Sequence, residues 1–118
     1  MNSIDLLRRS YLELGLVEEH GDHEEIQRFS SLARKVSQMV TVDIQRAQVV
    51  LELIEIGLEK GTEPLRVAIC TGFLERLLAE ASAGRLPFGV LAPWLGARSL
   101  EYCREWDRFT GLQTTGLW

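Results

Sequence analysis

Apolar side chains recur along this chain at three- and four-residue steps, which is the spacing of one face of an α-helix. Glycines interrupt the pattern where helices would end. No window alternates with a period of two over the length of a strand, so the predicted fold class is all-α. The predicted helices cover residues 2–14, about 22–39, 42–60, 62–83 and 97–109.

The third and fourth helices are predicted to be the centre of the fold. The third has a second apolar stripe, formed by Val42, Val49, Leu53 and Ile56, and a helix that is apolar on two faces is expected to be buried between neighbours. Gly61 after it suits a left-handed C-cap. The β-branched residues near position 42 favour a break between the second and third helices, but a continuous, bent helix stays open as an alternative.

These elements predict one domain over residues 1–118. About five helices joined by short loops are typical of a compact bundle or of a short helical-repeat-like stack. Residues 86–96 contain two prolines and two glycines, which predicts a tight connection with one short helical turn. After Gly111 the pattern ends, so residues 112–118 are expected to form a loosely held tail.

The charge of the chain narrows the choice of partners. The formal net charge is −4 and the pI about 5.2, and the 13 lysines and arginines are scattered. Nucleic-acid binders usually present a basic surface, so we expect no nucleic-acid partner. No apolar run approaches 18 residues and no signal peptide is visible, which predicts a cytoplasmic protein without a membrane span. The oligomeric state stays open.

Few residues suggest catalytic chemistry. Cys70 and Cys103 lie in apolar helical patterns and are interpreted as small buried hydrophobes, with a disulfide between them as the weaker alternative. His20 and His23 lie in an acidic connector with Gly21 between them. A metal-dependent hydrolase built on these two histidines is an alternative, but a solvated loop is favoured. We therefore predict a non-enzyme without metal or cofactor.

A binding protein needs a shaped surface, and carboxylates and aromatic side chains supply the candidates. The acidic connector could steer a basic partner, and tryptophan and tyrosine are favoured anchors at interfaces. Rows of glutamates on the last helix could also be solvated faces paired with Arg104 and Arg108. The predicted partner-binding residues are Glu18, Glu19, Asp22, Glu24, Glu25, Glu75, Trp94, Glu101, Tyr102 and Glu105.

Two of these assignments have a structural alternative. Glu75 could be an exposed helical edge paired with Arg76 instead of a carboxylate lining a groove. The aromatic set Tyr102, Trp106 and Phe109 is more typical of a core than of a binding surface.

The C-terminal half carries a family resemblance. Residues 67–78 (VAICTGFLERLL) and 94–107 (WLGARSLEYCREWD) contain a Phe-Leu-Glu helix and a Leu-Gly-x-x-Ser turn that enters an aromatic-rich last helix. In these motifs the chain resembles small all-helical bacterial immunity proteins of polymorphic toxin systems. The resemblance implies an immunity protein that binds a cognate toxin domain and occludes its active site or substrate cleft. A small helical protein–protein interaction adaptor without a toxin partner is the alternative.

Overall fold

The computed structural model describes residues 1–19 and 23–118, and all of its regular elements in these ranges are helical. The all-α prediction is therefore confirmed. No helix in the described ranges is long and apolar enough to cross a bilayer. The six helices are α1 (Ser3–Leu14), α2 (Glu25–Met39), α3 (Ile44–Lys60), α4 (Glu63–Val67, a π-helical segment Ala68–Leu74, and Glu75–Ser82), α5 (Phe88–Leu91, continued by a 3₁₀ turn Ala92–Trp94) and α6 (Ala97–Thr110).

Local capping chemistry sets several of the helix ends. The Asn2 side chain accepts a hydrogen bond from the Asp5 amide at 2.9 Å, and Gly15 ends α1 with a left-handed φ of 71°. Between α2 and α3 the Asp43 amide folds back onto the Met39 carbonyl at 2.7 Å. Helices α2 and α3 are therefore separate elements, joined by a tight turn.

The core is centred on the seam between α2 and α4. The π-helical segment of α4 makes its most extensive contact with α2, and Phe29 and Phe73 are fully buried. A Cβ at Gly72 would meet the Ile26 carbonyl oxygen and would lie 3.0 Å from the Phe29 Cβ. Glycine is thus required for the close approach of the two backbones. A π-helical segment of this kind was not predicted, because i to i+5 pairing leaves no simple period in the sequence.

The structure corrects two predictions about α3. Its second apolar stripe is mostly exposed instead of buried: Val42 is 79% exposed, and Val49 and Ile56 lie at the surface. The reason is that α3 packs on its neighbours with one face only, while α4 takes the central place. Gly61 has a φ of −77° and is not a left-handed cap. It is tightly packed instead, since a Cβ there would press on the Leu65 side chain.

The C-terminal tail also differs from the prediction, because residues 112–118 are held by several contacts. Leu117 is buried, and its carbonyl accepts hydrogen bonds from the Arg104 guanidinium at 3.2 and 3.3 Å. The buried Asp107 carboxylate accepts hydrogen bonds from Thr114 and, at 3.3 Å, from the Trp118 indole. The side chains that hold the tail, Arg104 and Asp107, lie on α6, so the hydrophobicity of the tail itself gave no sign of these contacts.

Candidate functional site

The described carboxylates of the acidic connector between α1 and α2 differ in their surroundings. Glu18 forms a two-point ion pair with Arg28, at 2.6 and 2.9 Å, and its side chain is only 11% exposed. It therefore fixes the connector to α2 more than it presents charge. Glu19 and Glu24 are exposed. Asp22, with His20 and Gly21, lies outside the described residues.

A shallow depression of about 410 Å³ lies where the N-terminal ends of α2 and α4 meet. We call it the acidic depression. Its apolar part is partly open to solvent, with Ile26 38% and Val67 45% exposed. None of the described residues that line it is a lysine, arginine or histidine. The lining residues are Glu24, Glu25, Ile26, Glu63, Pro64, Val67 and Ala68.

Helix geometry explains why carboxylates are tolerated together at this place. Glu25 and Glu63 are in the first turns of α2 and α4, where the positive end of the helix dipole stabilises negative charge. The Thr62 hydroxyl accepts a hydrogen bond from the Leu65 amide at 3.4 Å and fixes the start of α4. The depression lies at the starts of these two helices, and its three carboxylates find no ion-pair partner within the described residues.

Glu75 extends the negative charge along α4. It does not pair with Arg76; its carboxylate accepts a hydrogen bond from the Tyr102 hydroxyl at 2.5 Å, which ties α4 to α6. Burial, with smaller contributions from the charges of Glu75 and Glu63, raises the pKa of the Cys70 thiol to about 11. Glu75 is not part of the depression lining; it lies further along α4, in the segment that follows the π-helical turns.

Burial and the hydrogen bond to Glu75 raise the pKa of the Tyr102 phenol above its usual value. The hydroxyl thus stays protonated at neutral pH and serves as a donor. Tyr102 is half-buried, so this predicted residue positions Glu75 and also reaches the surface.

The other predicted residues on the C-terminal side do not join the depression. Glu101 and Glu105 are exposed on α6, while Arg104 and Arg108 do not pair with them. Both guanidiniums lie over the Trp118 ring instead, at 5.6 and 4.8 Å from its centroid. Trp94 is half-exposed on the 3₁₀ turn beside α3 and is not part of the depression lining.

The aromatic residues of α6 were predicted to belong to the core, but they are not buried uniformly. Phe109 is 82% exposed, although its ring packs against Trp106 with centroids 5.8 Å apart. The exposure of Phe109 could not be predicted from spacing, since Phe109 follows Tyr102 and Trp106 at helical steps. It is exposed because it lies beyond Asp107, the last buried residue of α6.

Sequence reasoning also missed a buried ionic cluster at the other end of the α2–α4 seam. Glu80 is 3% exposed and accepts hydrogen bonds from the Nε groups of Arg76 and Arg85, the former at 2.8 Å. These hydrogen bonds, Arg85 first, hold the pKa of the Glu80 carboxyl below its usual value. The four-residue spacing of Arg76 and Glu80 was a signal that could have found half of the cluster.

The side chains suited to covalent or metal chemistry are not gathered in one place within the described ranges. No group of three histidine, cysteine, aspartate or glutamate side chains there has a metal-binding arrangement. Cys103 is buried, which raises the pKa of its thiol to about 12, and Cys70 is half-buried. Neither thiol has the lowered pKa that a nucleophilic cysteine needs.

No protein-family model, curated protein or solved structure matches this chain.

Proposed function

We propose that this chain is an immunity protein that binds a cognate bacterial toxin domain and neutralises it by covering the toxin's active site or substrate cleft. The observation that carries the proposal is the acidic depression, where three carboxylates lie together with partly exposed apolar side chains. The resemblance of residues 67–78 and 94–107 to immunity proteins supports the same class.

The chemistry of the depression suggests what it would bind. Glu24, Glu25 and Glu63 offer acceptors to lysine and arginine side chains, and charge complementarity of this kind accelerates encounter and selects partners. A toxin that acts on nucleic acid or nucleotides needs a basic cleft for its phosphates. Such a cleft would be complementary to these carboxylates.

The apolar part of the depression supplies the second component of binding. Ile26, Pro64 and Val67 offer surface that a partner would remove from water, at about 25 cal/mol for each Å². Interfaces combine a desolvated apolar centre with a polar rim, and the depression has both. Glu75 and its hydrogen-bond donor Tyr102, both half-buried, would add contacts outside the depression.

Co-expression with the product of the adjacent gene tests the function. We expect that product to arrest growth alone, and we expect this chain to restore growth and to co-purify with it. A harmless neighbour, or one that stays toxic beside this chain, would refute the immunity function. A stable complex with a harmless neighbour would favour the adaptor function instead.

A pair of charge reversals tests the surface. The double variant Glu24→Lys/Glu63→Lys should fail to restore growth, because it turns two acceptors into cations that repel a basic cleft. The matched control is Glu13→Lys/Glu52→Lys, which makes the same change of charge at exposed positions of α1 and α3. Equal rescue of growth by both double variants would show that the toxin binds a surface other than the acidic depression.

A further inference from the structure

A second concavity, of about 350 Å³, lies at the other end of the α2–α4 seam. We call it the basic cavity. Its charged side chains come from three separate segments of the chain: Arg34 from α2, Arg76 and Glu80 from α4, and Arg85 from the connection that follows α4. Ser37 and Gln38 complete the lining.

The buried Glu80 organises two of the three guanidiniums without using up their donors. Each carboxylate oxygen accepts one Nε–H, from Arg76 on one side and Arg85 on the other. A guanidinium has five N–H donors, so most remain for another acceptor. Arg76 also reaches the Ser30 hydroxyl at 3.4 Å.

Arg34 stands out in this group. It is exposed, and it forms no hydrogen bond or ion pair with any residue in the described ranges. It lines the cavity together with the guanidiniums of Arg76 and Arg85. Three arginines and one glutamate give the basic cavity a formal charge of +2, in a protein whose net charge is −4.

We propose that the basic cavity binds a phosphate group, either as the free anion or as a monoester. A doubly charged tetrahedral anion matches the charge of the lining, and several guanidiniums together can surround its oxygens with charge-assisted hydrogen bonds. A carboxylate, with one charge and two oxygens, would leave part of this charge unpaired. The Gln38 amide adds a neutral donor. This site is independent of the acidic depression and of the proposed toxin partner.

The site is tested by titrating the purified chain with inorganic phosphate, phenyl phosphate, sulfate and acetate. The NMR signals of the arginine Nε–H groups report binding at each step of the titration. We expect saturable shifts of the Arg34, Arg76 and Arg85 signals with the two phosphates and with sulfate, which is also a doubly charged tetrahedral anion, and much weaker ones with acetate. Tighter binding of phenyl phosphate would identify a monoester as the ligand, whereas tighter binding of inorganic phosphate would identify the free anion.

Variants decide whether these arginines are responsible. Arg34→Gln should weaken phosphate binding at least about fivefold without unfolding the protein, because its side chain has no described partner to lose. Arg85→Gln should weaken it similarly, and Arg9→Gln, at an exposed position of α1, should not. The absence of saturable shifts below about 20 mM phosphate, or equal binding by Arg34→Gln and Arg9→Gln, would overturn the proposal.

Discussion

The seam between α2 and α4 carries opposite charge at its two ends. At the N-terminal end, Glu24, Glu25 and Glu63 lie together without a described ion-pair partner. At the C-terminal end, Glu80 is buried between Arg76 and Arg85. The same residue type therefore has two roles, set by whether cations surround it.

Helix dipoles account for part of this arrangement. Carboxylates near helix N-termini and cations near C-termini are each stabilising by about 0.3–1 kcal/mol. That effect does not require three carboxylates around an open apolar surface, nor an exposed Arg34 beside two other guanidiniums. The lesson is that compensated charge such as Glu80 holds the fold, while uncompensated charge at the surface is available to a partner.

The largest effect on stability is expected at the middle of the seam, which holds both ends in place. Gly72→Ala should lower the free energy of unfolding by about 3 kcal/mol, because the new methyl group meets the Ile26 backbone carbonyl, which cannot move aside cheaply. The matched control is Gly89→Ala, whose Cβ would have only Gly116 as a neighbour, at 3.5 Å. Urea unfolding of both variants measures this. A Gly72→Ala protein as stable as Gly89→Ala would show that the seam is not tightly packed.

The second-largest effect on stability is expected at the C-terminal end of the seam, where Glu80 is paired with Arg76 and Arg85. Glu80→Gln should lower the free energy of unfolding by about 2 kcal/mol at pH 7, because two charge-assisted hydrogen bonds lose their anionic acceptor. The control is Glu52→Gln, at an exposed position of α3, which should change stability little. Equal stability of the two variants at pH 7 would contradict a structural role for Glu80.

The same pair of variants gives a pH dependence of defined sign. The arginines lower the folded-state pKa of Glu80, so its contribution is present above the unfolded value of about 4.3 and is lost as the pH falls through the folded pKa. The stability difference between the wild-type protein and Glu80→Gln should therefore shrink in acid. Urea unfolding of both proteins between neutral and acidic pH checks this. A stability difference that grows in acid would contradict a lowered folded-state pKa of Glu80.

The smallest effect on stability is expected at the N-terminal end of the seam, where Glu24, Glu25 and Glu63 have no described ion-pair partner. Glu63→Gln should change the free energy of unfolding by no more than about 1 kcal/mol, since the lost dipole interaction is offset by weaker repulsion from Glu24 and Glu25. Thermal unfolding at low and high salt measures it. A loss of unfolding free energy as large as that of Glu80→Gln would mean that Glu63 also stabilises the fold. The two ends of the seam would then not differ in the role of their carboxylates.

The sequence predicted the helices well because their signals are local. Apolar spacing, the Asn2 and Thr62 caps and the Gly15 stop all act within a few residues. The burial of the second stripe of α3 and the looseness of the tail were predicted wrongly. Both depend on which neighbours pack against a segment, and a single sequence does not carry that information.

The candidate site could be predicted only in part, for the same reason. Glu24 and Glu25 were singled out from the acidic connector, but their meeting with Glu63 and Val67 depends on how α2 and α4 start side by side. The pairing of Glu75 with Tyr102 joins two helices 27 residues apart in the chain. Glu80 was not singled out from the sequence, because its burial follows from the packing around it.

The most direct test of the central claim is the association rate of the purified chain with its cognate toxin domain, measured by stopped flow at several salt concentrations. If the acidic depression steers a basic partner, the wild-type rate falls steeply as salt rises, and Glu24→Lys/Glu63→Lys associates at least about tenfold more slowly at low salt while Glu13→Lys/Glu52→Lys does not. A rate that is independent of salt, or equal for the two double variants, would contradict the account.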